Sequence, residues 1–215
     1  MKTILLKDAA ALIPDGASVM IGGFMGVGTP ERLVDELVRQ GKRNLTVIAN
    51  DNALPGIGIG KLISAGAVKK TIASHIGLNP ETQKKMLAGK LEVDLVPQGT
   101  LIERIRAGGF GLGGVLTPTG VGTVVEKGKQ RIEIAGKPYL VETALRADFA
   151  LVQAFLSDYI GNLYYALTAR NFNPVIAMAA DTVIVEADNI VPVGVIAPDQ
   201  VVTPAPVVDY IVSHA

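Results

Sequence analysis

Short apolar runs followed by segments of helical period recur four times in the first half of this chain, and that rhythm restricts the fold more than any single residue does. Val19-Met20-Ile21, Leu45-Thr46-Val47-Ile48-Ala49, Val68 to Ser74 and Leu91 to Val96 have strand length and lie about 25 residues apart. Between them, Glu31 to Gln40 sets Leu33, Val34, Leu37 and Val38 on one helical face and stops at Gly41. A helix is expected around Ile59 to Ser64, and Asn79-Pro80-Glu81-Thr82 opens another with a capping side chain and a proline in order. Pro97-Gln98-Gly99-Thr100 turns into a helix over Leu101 to Ala107. Repetition of this kind marks βαβ units, so the expected class is α/β: an open, mainly parallel sheet with helices on both faces. Ligands of such sheets bind beyond the carboxyl ends of the strands. The strand exits Gly22-Gly23-Phe24, Asn50-Asp51-Asn52 and Pro97-Gln98-Gly99 therefore share one edge.

The first exit is the richest in glycine. Gly22, Gly23, Phe24, Met25, Gly26, Val27 and Gly28 connect the first of these strands to a helix for which Thr29 is the expected N-cap and Pro30 the first residue. A strand, a glycine loop and a helix N-terminus offer backbone N–H groups to an anionic or thioester-bearing ligand. Spacing excludes two common readings. The dinucleotide pattern G-x-G-x-x-G fails at Met25 from one start and at Glu31 from the other, and Thr29-Pro30 stand where a phosphate-binding P-loop needs Lys-Ser/Thr. A plain strand-to-helix turn stays open beside the ligand-facing one.

Beyond the fourth strand the rhythm changes. Gly108 to Gly114 followed by Thr117-Pro118-Thr119-Gly120 reads either as a flexible loop near the ligand or as a solvated linker. Arg131 to Glu142 alternates on both sides of Ala135-Gly136, a hairpin. Phe149 to Phe155, Thr182 to Glu186 and Val207 to Val212 are later strands, and an Ala- and Met-rich helix is expected after Pro174. At the other end, Thr3 to Ile13 reads as a first helix. One domain over residues 1–215 is expected, with the stretch near 108–120 and the hairpin near 130–142 inserted into it.

Composition excludes several classes. Twenty basic and twenty acidic residues, scattered, give a formal net charge of zero, and five Phe and five Tyr form no stacking series, so neither nucleic acid nor an acidic membrane is an expected partner. The absence of cysteine removes a disulfide framework, a catalytic thiol and a Cys-based zinc site; the two histidines, His75 and His214, suggest no metal motif. Lys7-Asp8 interrupts the early apolar run Ile4-Leu5-Leu6, and no stretch reaches the length of a membrane span, so a cytoplasmic protein is expected.

Asp15-Gly16, the apolar run before Gly22-Gly23-Phe24, Gly28 and Pro30 form a long ordered pattern that resembles the signature of family I coenzyme A transferases. Asn50-Asp51, Ser74-His75-Ile76-Gly77 with Asn79, Pro97 to Leu101, Thr117 to Gly120 and Ala169-Arg170-Asn171-Phe172-Asn173 follow in that family's order, over about residues 3 to 212. Within it the chain resembles α subunits of the acetate/acetoacetate (butyrate-acetoacetate) type. The resemblance implies transfer of CoA between acyl-CoA and a small carboxylate such as acetoacetate, acetate or butyrate, with CoA as substrate and no permanently bound cofactor. It also implies a β-subunit partner in a hetero-oligomer of two α and two β chains.

In this family the nucleophile is a glutamate in a Ser-Glu-Asn-Gly-like segment, which forms a mixed anhydride and then an enzyme-bound CoA thioester. No such segment occurs here. Glu31 and Glu81 lie at helix ends, Glu36 and Glu103 on helix faces, Glu92 and Glu133 in strands and Glu126 in a turn, all expected to be surface or salt-bridge residues. The nucleophile is then expected on the β subunit. By resemblance, Gln98 stands beside the acyl group and Asn50 helps hold the substrate carboxylate; the alternative for each is a capping or turn-forming amide. Gln98 suits the task because a neutral amide can donate to a developing oxyanion without a charge that needs pairing. Asp51 is the one carboxylate expected at this edge. Ser74 and His75, adjacent on a strand, point to opposite faces and make no nucleophile-base pair, which leaves His75 a structural residue. Arg170 either binds a phosphate of CoA or pairs with a nearby carboxylate. A non-catalytic acyl-CoA-binding or regulatory module is the alternative function; a sugar-phosphate isomerase lacks the basic cluster it would need.

Overall fold

Residues 2–212 are described by a computed structural model; His214 lies outside them. In chain order the elements begin β1 (Lys2–Ile4), α1 (Leu6–Ala11), β2 (Ser18–Ile21), α2 (Glu31–Arg39), β3 (Leu45–Asp51) and α3 (Ile59–Ser64). They continue with β4 (Val68–His75), α4 (Pro80–Leu87), β5 (Glu92–Leu95), α5 (Gln98–Gly109), β6 (Gly114–Thr117), β7 (Arg131–Ile134) and β8 (Lys137–Thr143). The last are β9 (Ala147–Asp158), β10 (Leu163–Tyr164), α6 (Asn173–Ile176), β11 (Ala180–Val191) and β12 (Tyr210–Val212).

The main sheet runs β1-β12-β11-β9-β2-β3-β4-β5, every neighbour parallel, with β10 added antiparallel to β9. Period-two alternation sends each strand's residues to two apolar layers. Met20, Ile48, Ile72, Ala150 and Val152 meet Leu101 and Ile105 of α5 and Phe172, Val175 and Ile176 near α6. Val19, Ile21, Val47, Ala49 and Leu151 meet Ala9, Ala10, Leu33, Val34, Leu37, Leu62 and Ile63 on the other face. Helices on both faces of an open parallel sheet are thus observed. The chain walks outward from β2 through β3 and β4 to β5, then returns to β9 on the other flank of β2. The reversal between β2 and β9 is a topological switch point, where such sheets bind ligands.

Three elements differ from expectation. The first helix is only Leu6–Ala11, because Lys2–Ile4 pairs with Tyr210–Val212 as an edge strand, a long-range contact that local periodicity does not reveal. The glycine-rich stretch after residue 107 is partly regular: α5 extends to Gly109, and Gly114–Thr117 is a strand of a second sheet ordered β6-β8-β7, with turns before and after that strand. Its glycines make room. A Cβ at Gly108 would lie 2.3 Å from the Leu145 carbonyl oxygen, and one at Gly114 would lie 2.4 Å from that of Glu142. The helix after Pro174 is a single turn, since β11 already begins at Ala180.

The hairpin of β7 and β8 turns at Ala135-Gly136 as expected. The small sheet is tied to α5 by polar contacts: Arg104 Nε donates to the Thr143 carbonyl at 2.8 Å, and buried Glu142 pairs with Lys129 and, at 4.0 Å, with Arg104. Glu142, 2% exposed, is no surface carboxylate. Losing a cation from so buried an ion leaves an uncompensated charge.

Candidate active site

The exit from β2 is a tight hairpin rather than an open loop. Phe24 and Val27 exchange backbone hydrogen bonds of 3.0 and 2.9 Å, with Met25 at φ 52° and Gly26 at φ 91° between them. Two successive positive φ values define a type I′ turn; glycine supplies the second without strain, whereas Met25 holds the first despite its Cβ. The turn leaves Phe24, Met25 and Val27 exposed. Gly22 and Gly28 have a different task. A Cβ on Gly22 would fall 1.8 Å from Asn173 Oδ1, and one on Gly28 would fall 2.8 Å from Ala169 Cα.

Asn173 explains this crowding. Its Nδ2 donates to the carbonyls of Gly28 (2.8 Å) and Ala169 (2.9 Å), and its Oδ1 accepts from Gln153 N on β9 (3.0 Å). One fully buried amide therefore locks the glycine turn to β9 across the switch point. Asn173 belongs to the Ala169-to-Asn173 segment that carried the family resemblance; no local pattern gave it this role.

The N-terminus of α2 is not free for a ligand. Thr29 does not cap it, for its hydroxyl donates to the Gly22 carbonyl at 3.1 Å. Glu186 of β11 reaches over instead and accepts from Arg32 N (3.2 Å) and Leu33 N (2.8 Å). This capping carboxylate comes from 153 residues away, so the sequence around the helix could not announce it. The N–H groups of Gly23, Gly26 and Gly28 make no hydrogen bond among the described residues; of these Gly23 is buried, which leaves Gly26 and Gly28 as the more accessible donors.

Burial raises the Glu186 carboxyl above its ordinary value of 4.5, against the backbone donors Leu33 and Arg32 and the Arg32 charge, while Asp188 reinforces the rise. A raised carboxyl favours the folded state fully while both states are protonated. That contribution declines as pH climbs from about 4.5 through the folded value. Urea unfolding across this range is expected to show wild-type stability falling relative to Glu186→Gln, which cannot ionise. A wild-type stability that rises relative to the variant would contradict the assignment.

At the exit from β3, Asn50, Asp51 and Asn52 are all buried. Asn50 Nδ2 donates to Asp51 Oδ2 at 2.9 Å, and Ser74 Oγ donates to the Asn50 carbonyl at 2.7 Å. Ser74 and His75 do point apart: His75 is exposed, its ring against Gly77. Asn52 bonds Thr71 and Thr82 within the scaffold, and Asn79 caps α4 through Thr82 N as expected. At the exit from β5, Gln98 is the first residue of α5 rather than part of the preceding turn. It is exposed and its side chain makes no hydrogen bond among the described residues, so it neither caps nor closes a turn. β3, which carries Asn50, and β5, which precedes Gln98, are separated by β4, which sets their exits about 10 Å apart at the usual spacing of ~4.8 Å per strand. Arg170 lies 5.5 Å from the ring centre of Tyr164 and donates to the Tyr165 carbonyl; it has no ion pair among the described residues.

Three carboxylates near the β2 and β3 exits are engaged, whereas Asp94 of β5 is exposed. Asp51 accepts three donors, Glu186 caps α2, and Glu31 pairs with Lys61 at 2.7 Å. Glu36, expected on a helix surface, is buried against Arg39 and Gln40, which together with the Arg39 charge hold its carboxyl below the ordinary value despite desolvation. No group of His, Cys, Asp and Glu suited to a metal ion occurs among the described residues. Nor is any helix among them long and apolar enough to cross a membrane.

The open parallel sheet thus presents amides and glycine N–H groups at the carboxyl edge of its strands. The chain belongs to the coenzyme A transferase family, which it matches over residues 3–214. It is 57% identical to the acetate CoA-transferase subunit alpha of Escherichia coli (strain K12) over 211 residues, 98% of this chain and 96% of that one. Identity to the acetoacetyl-CoA:acetate/butyrate CoA transferase alpha subunit of Clostridium acetobutylicum is 53% over 213 residues, 99% and 98% of the two chains. The fold is also that of an acyl-CoA transferase from E. coli O157:H7 solved as a thioester complex with CoA, with TM-score 0.85 at 24% identity. The match covers 99% of this chain, which spans about half, 47%, of that solved chain.

Proposed function

We infer that this chain is the alpha subunit of a hetero-oligomeric short-chain CoA-transferase. It moves CoA between acyl-CoA and a small carboxylate such as acetoacetate, acetate or butyrate, through a glutamyl-CoA thioester on its β-subunit partner. CoA enters as substrate. The observation that carries this reading is the chemistry of the binding edge: amide and glycine donors beside carboxylates, Asp51, Glu186 and Glu31, that are already engaged, in a chain matched nearly end to end by alpha subunits of that activity.

The donors left free at this edge support a role for each residue in that reading. The hairpin of residues 22–28 lines the acyl-CoA path, with the Gly26 and Gly28 N–H groups able to meet a thioester carbonyl. Gln98, unengaged and exposed, donates to the acyl oxygen as charge develops on it. Asn50 uses the amide hydrogen that Asp51 leaves free to hold the acceptor carboxylate. Two copies of each chain is the stoichiometry this reading adopts. The test is an assay of the complex, reconstituted with its partner, for transfer from acetyl-CoA to acetoacetate and to butyrate. Acyl-CoA binding by the complex without any transfer would instead support a non-catalytic module.

A further inference from the structure

Asp51 is a buried carboxylate at the binding edge for which the proposed chemistry has no use. It is 4% exposed and has no cationic partner among the described residues. A buried ion without a counterion is costly unless its oxygens are fully hydrogen-bonded, and here they are. Oδ1 accepts from Ala53 N at 2.7 Å, and Oδ2 accepts from Asn50 Nδ2 at 2.9 Å. The Met25 N–H lies between them, 3.1 Å from Oδ2 and 3.3 Å from Oδ1.

The identity of these donors is informative. Met25 and Ala53 both hold left-handed backbones, at φ 52° and 51°, conformations that residues with a Cβ rarely adopt. Such residues persist where their surroundings over-determine them, and they gather at ligand sites. One carboxylate holds both, on turns that leave two different strands. The third donor is the amide of Asn50. Because a carboxylate only accepts, it can face only the Nδ2 end of that amide, which directs Oδ1 toward Ser74 Oγ, 3.4 Å away.

We propose that Asp51 is a positioning residue for the transfer reaction: its carboxylate sets which end of the Asn50 amide faces the substrate and pins the 24–27 hairpin against the exit of β3. This rests on the reading that Asn50 and the hairpin face the acyl group. Asparagine at position 51 is nearly isosteric and keeps an acceptor for Ala53 N. Its amide nitrogen would then confront Asn50 Nδ2, donor against donor, and Asn50 must turn over or move away.

The test compares Asp51→Asn, Asn50→Ala and the double variant in the complex reconstituted with the partner chain. Asp51→Asn is expected to lower kcat by about ten- to a hundredfold while KM for acyl-CoA changes less than about threefold. In the Asn50→Ala background the same substitution is expected to lower kcat by less than about threefold, since residues acting through one another are not additive. Unchanged kcat in Asp51→Asn, or losses that simply multiply in the double variant, would overturn the proposal. Full turnover in Asn50→Ala would instead remove the reading that Asn50 touches substrate, and the proposal with it. Because a buried variant can fail to fold, hydrogen exchange in the wild-type chain supplies a second measurement. Slow exchange of the Met25 and Ala53 N–H groups and the Asn50 side-chain amide is expected; fast exchange at all three would overturn Asp51's hold whatever the kinetics show.

Discussion

After incubation of the complex with acyl-CoA and reduction with borohydride, the covalent mark is expected on the partner chain and none on this one. The isolated chain is expected to fold yet to transfer no CoA. In the transfer, a carboxylate attacks the thioester carbonyl and expels CoA thiolate, leaving a mixed anhydride. The thiolate then attacks the enzyme side of that anhydride, which releases the small carboxylate and leaves an enzyme-bound thioester. Such a nucleophile must be reachable, partly desolvated and not already spent as a hydrogen-bond acceptor. Asp51 is buried with three donors on it, Glu186 is committed to α2, and Glu31 is held by Lys61. Gln98 and Asn50 are amides and cannot form the anhydride. Mass measurement of the two chains after separation decides the matter. A modification at Asp51 or at any glutamate of this chain, or turnover by the isolated chain equal to that of the complex, would reverse the division of labour.

The parallel core was legible because it is written in local periodicity. Val19 and Ile21 face one layer and Met20 the other, as alternation requires, and the helix faces through Leu33, Val34 and Leu37 meet the sheet where expected. What local pattern could not supply came from afar. Lys2–Ile4 is a strand only because Tyr210–Val212 lies beside it, and α2 is capped by a glutamate of β11 rather than by Thr29. Glycine was the most ambiguous letter. Gly26 stands in a turn that needs positive φ, whereas Gly108 and Gly114 allow backbones to approach, and the sequence writes both tasks alike. The site was legible as an edge: three exits of parallel strands, with Asn50 and Gln98 two strands apart. Asn173 and Asp51, which hold that edge together, act through hydrogen bonds between residues 145 and 26 positions apart, and no spacing rule reports those.

Gln98→Ala is expected to lower turnover of the complex by about ten- to a thousandfold, the range for losing one donor to a developing oxyanion, or ~1.4 to 4 kcal/mol of transition-state stabilisation. The expectation draws on where the side chain stands. As the first residue of α5 it follows Pro97, whose backbone, not the glutamine amide, closes the first helical turn through Leu101 N at 2.8 Å. The amide is exposed, without a hydrogen bond among the described residues, and buries little apolar surface. Alanine is also a better helix former than glutamine, so the variant's thermal midpoint is expected to stay within about 2 °C of wild type. Loss confined to kcat is the signature of a donor used in the transition state, whereas a rise in KM alone would mark a group that only binds substrate. Glutamate at the same position should be worse than alanine, because it places a negative charge where the reaction develops one. Near-normal turnover in Gln98→Ala would show that this amide, though free and well placed, takes no part in the transfer.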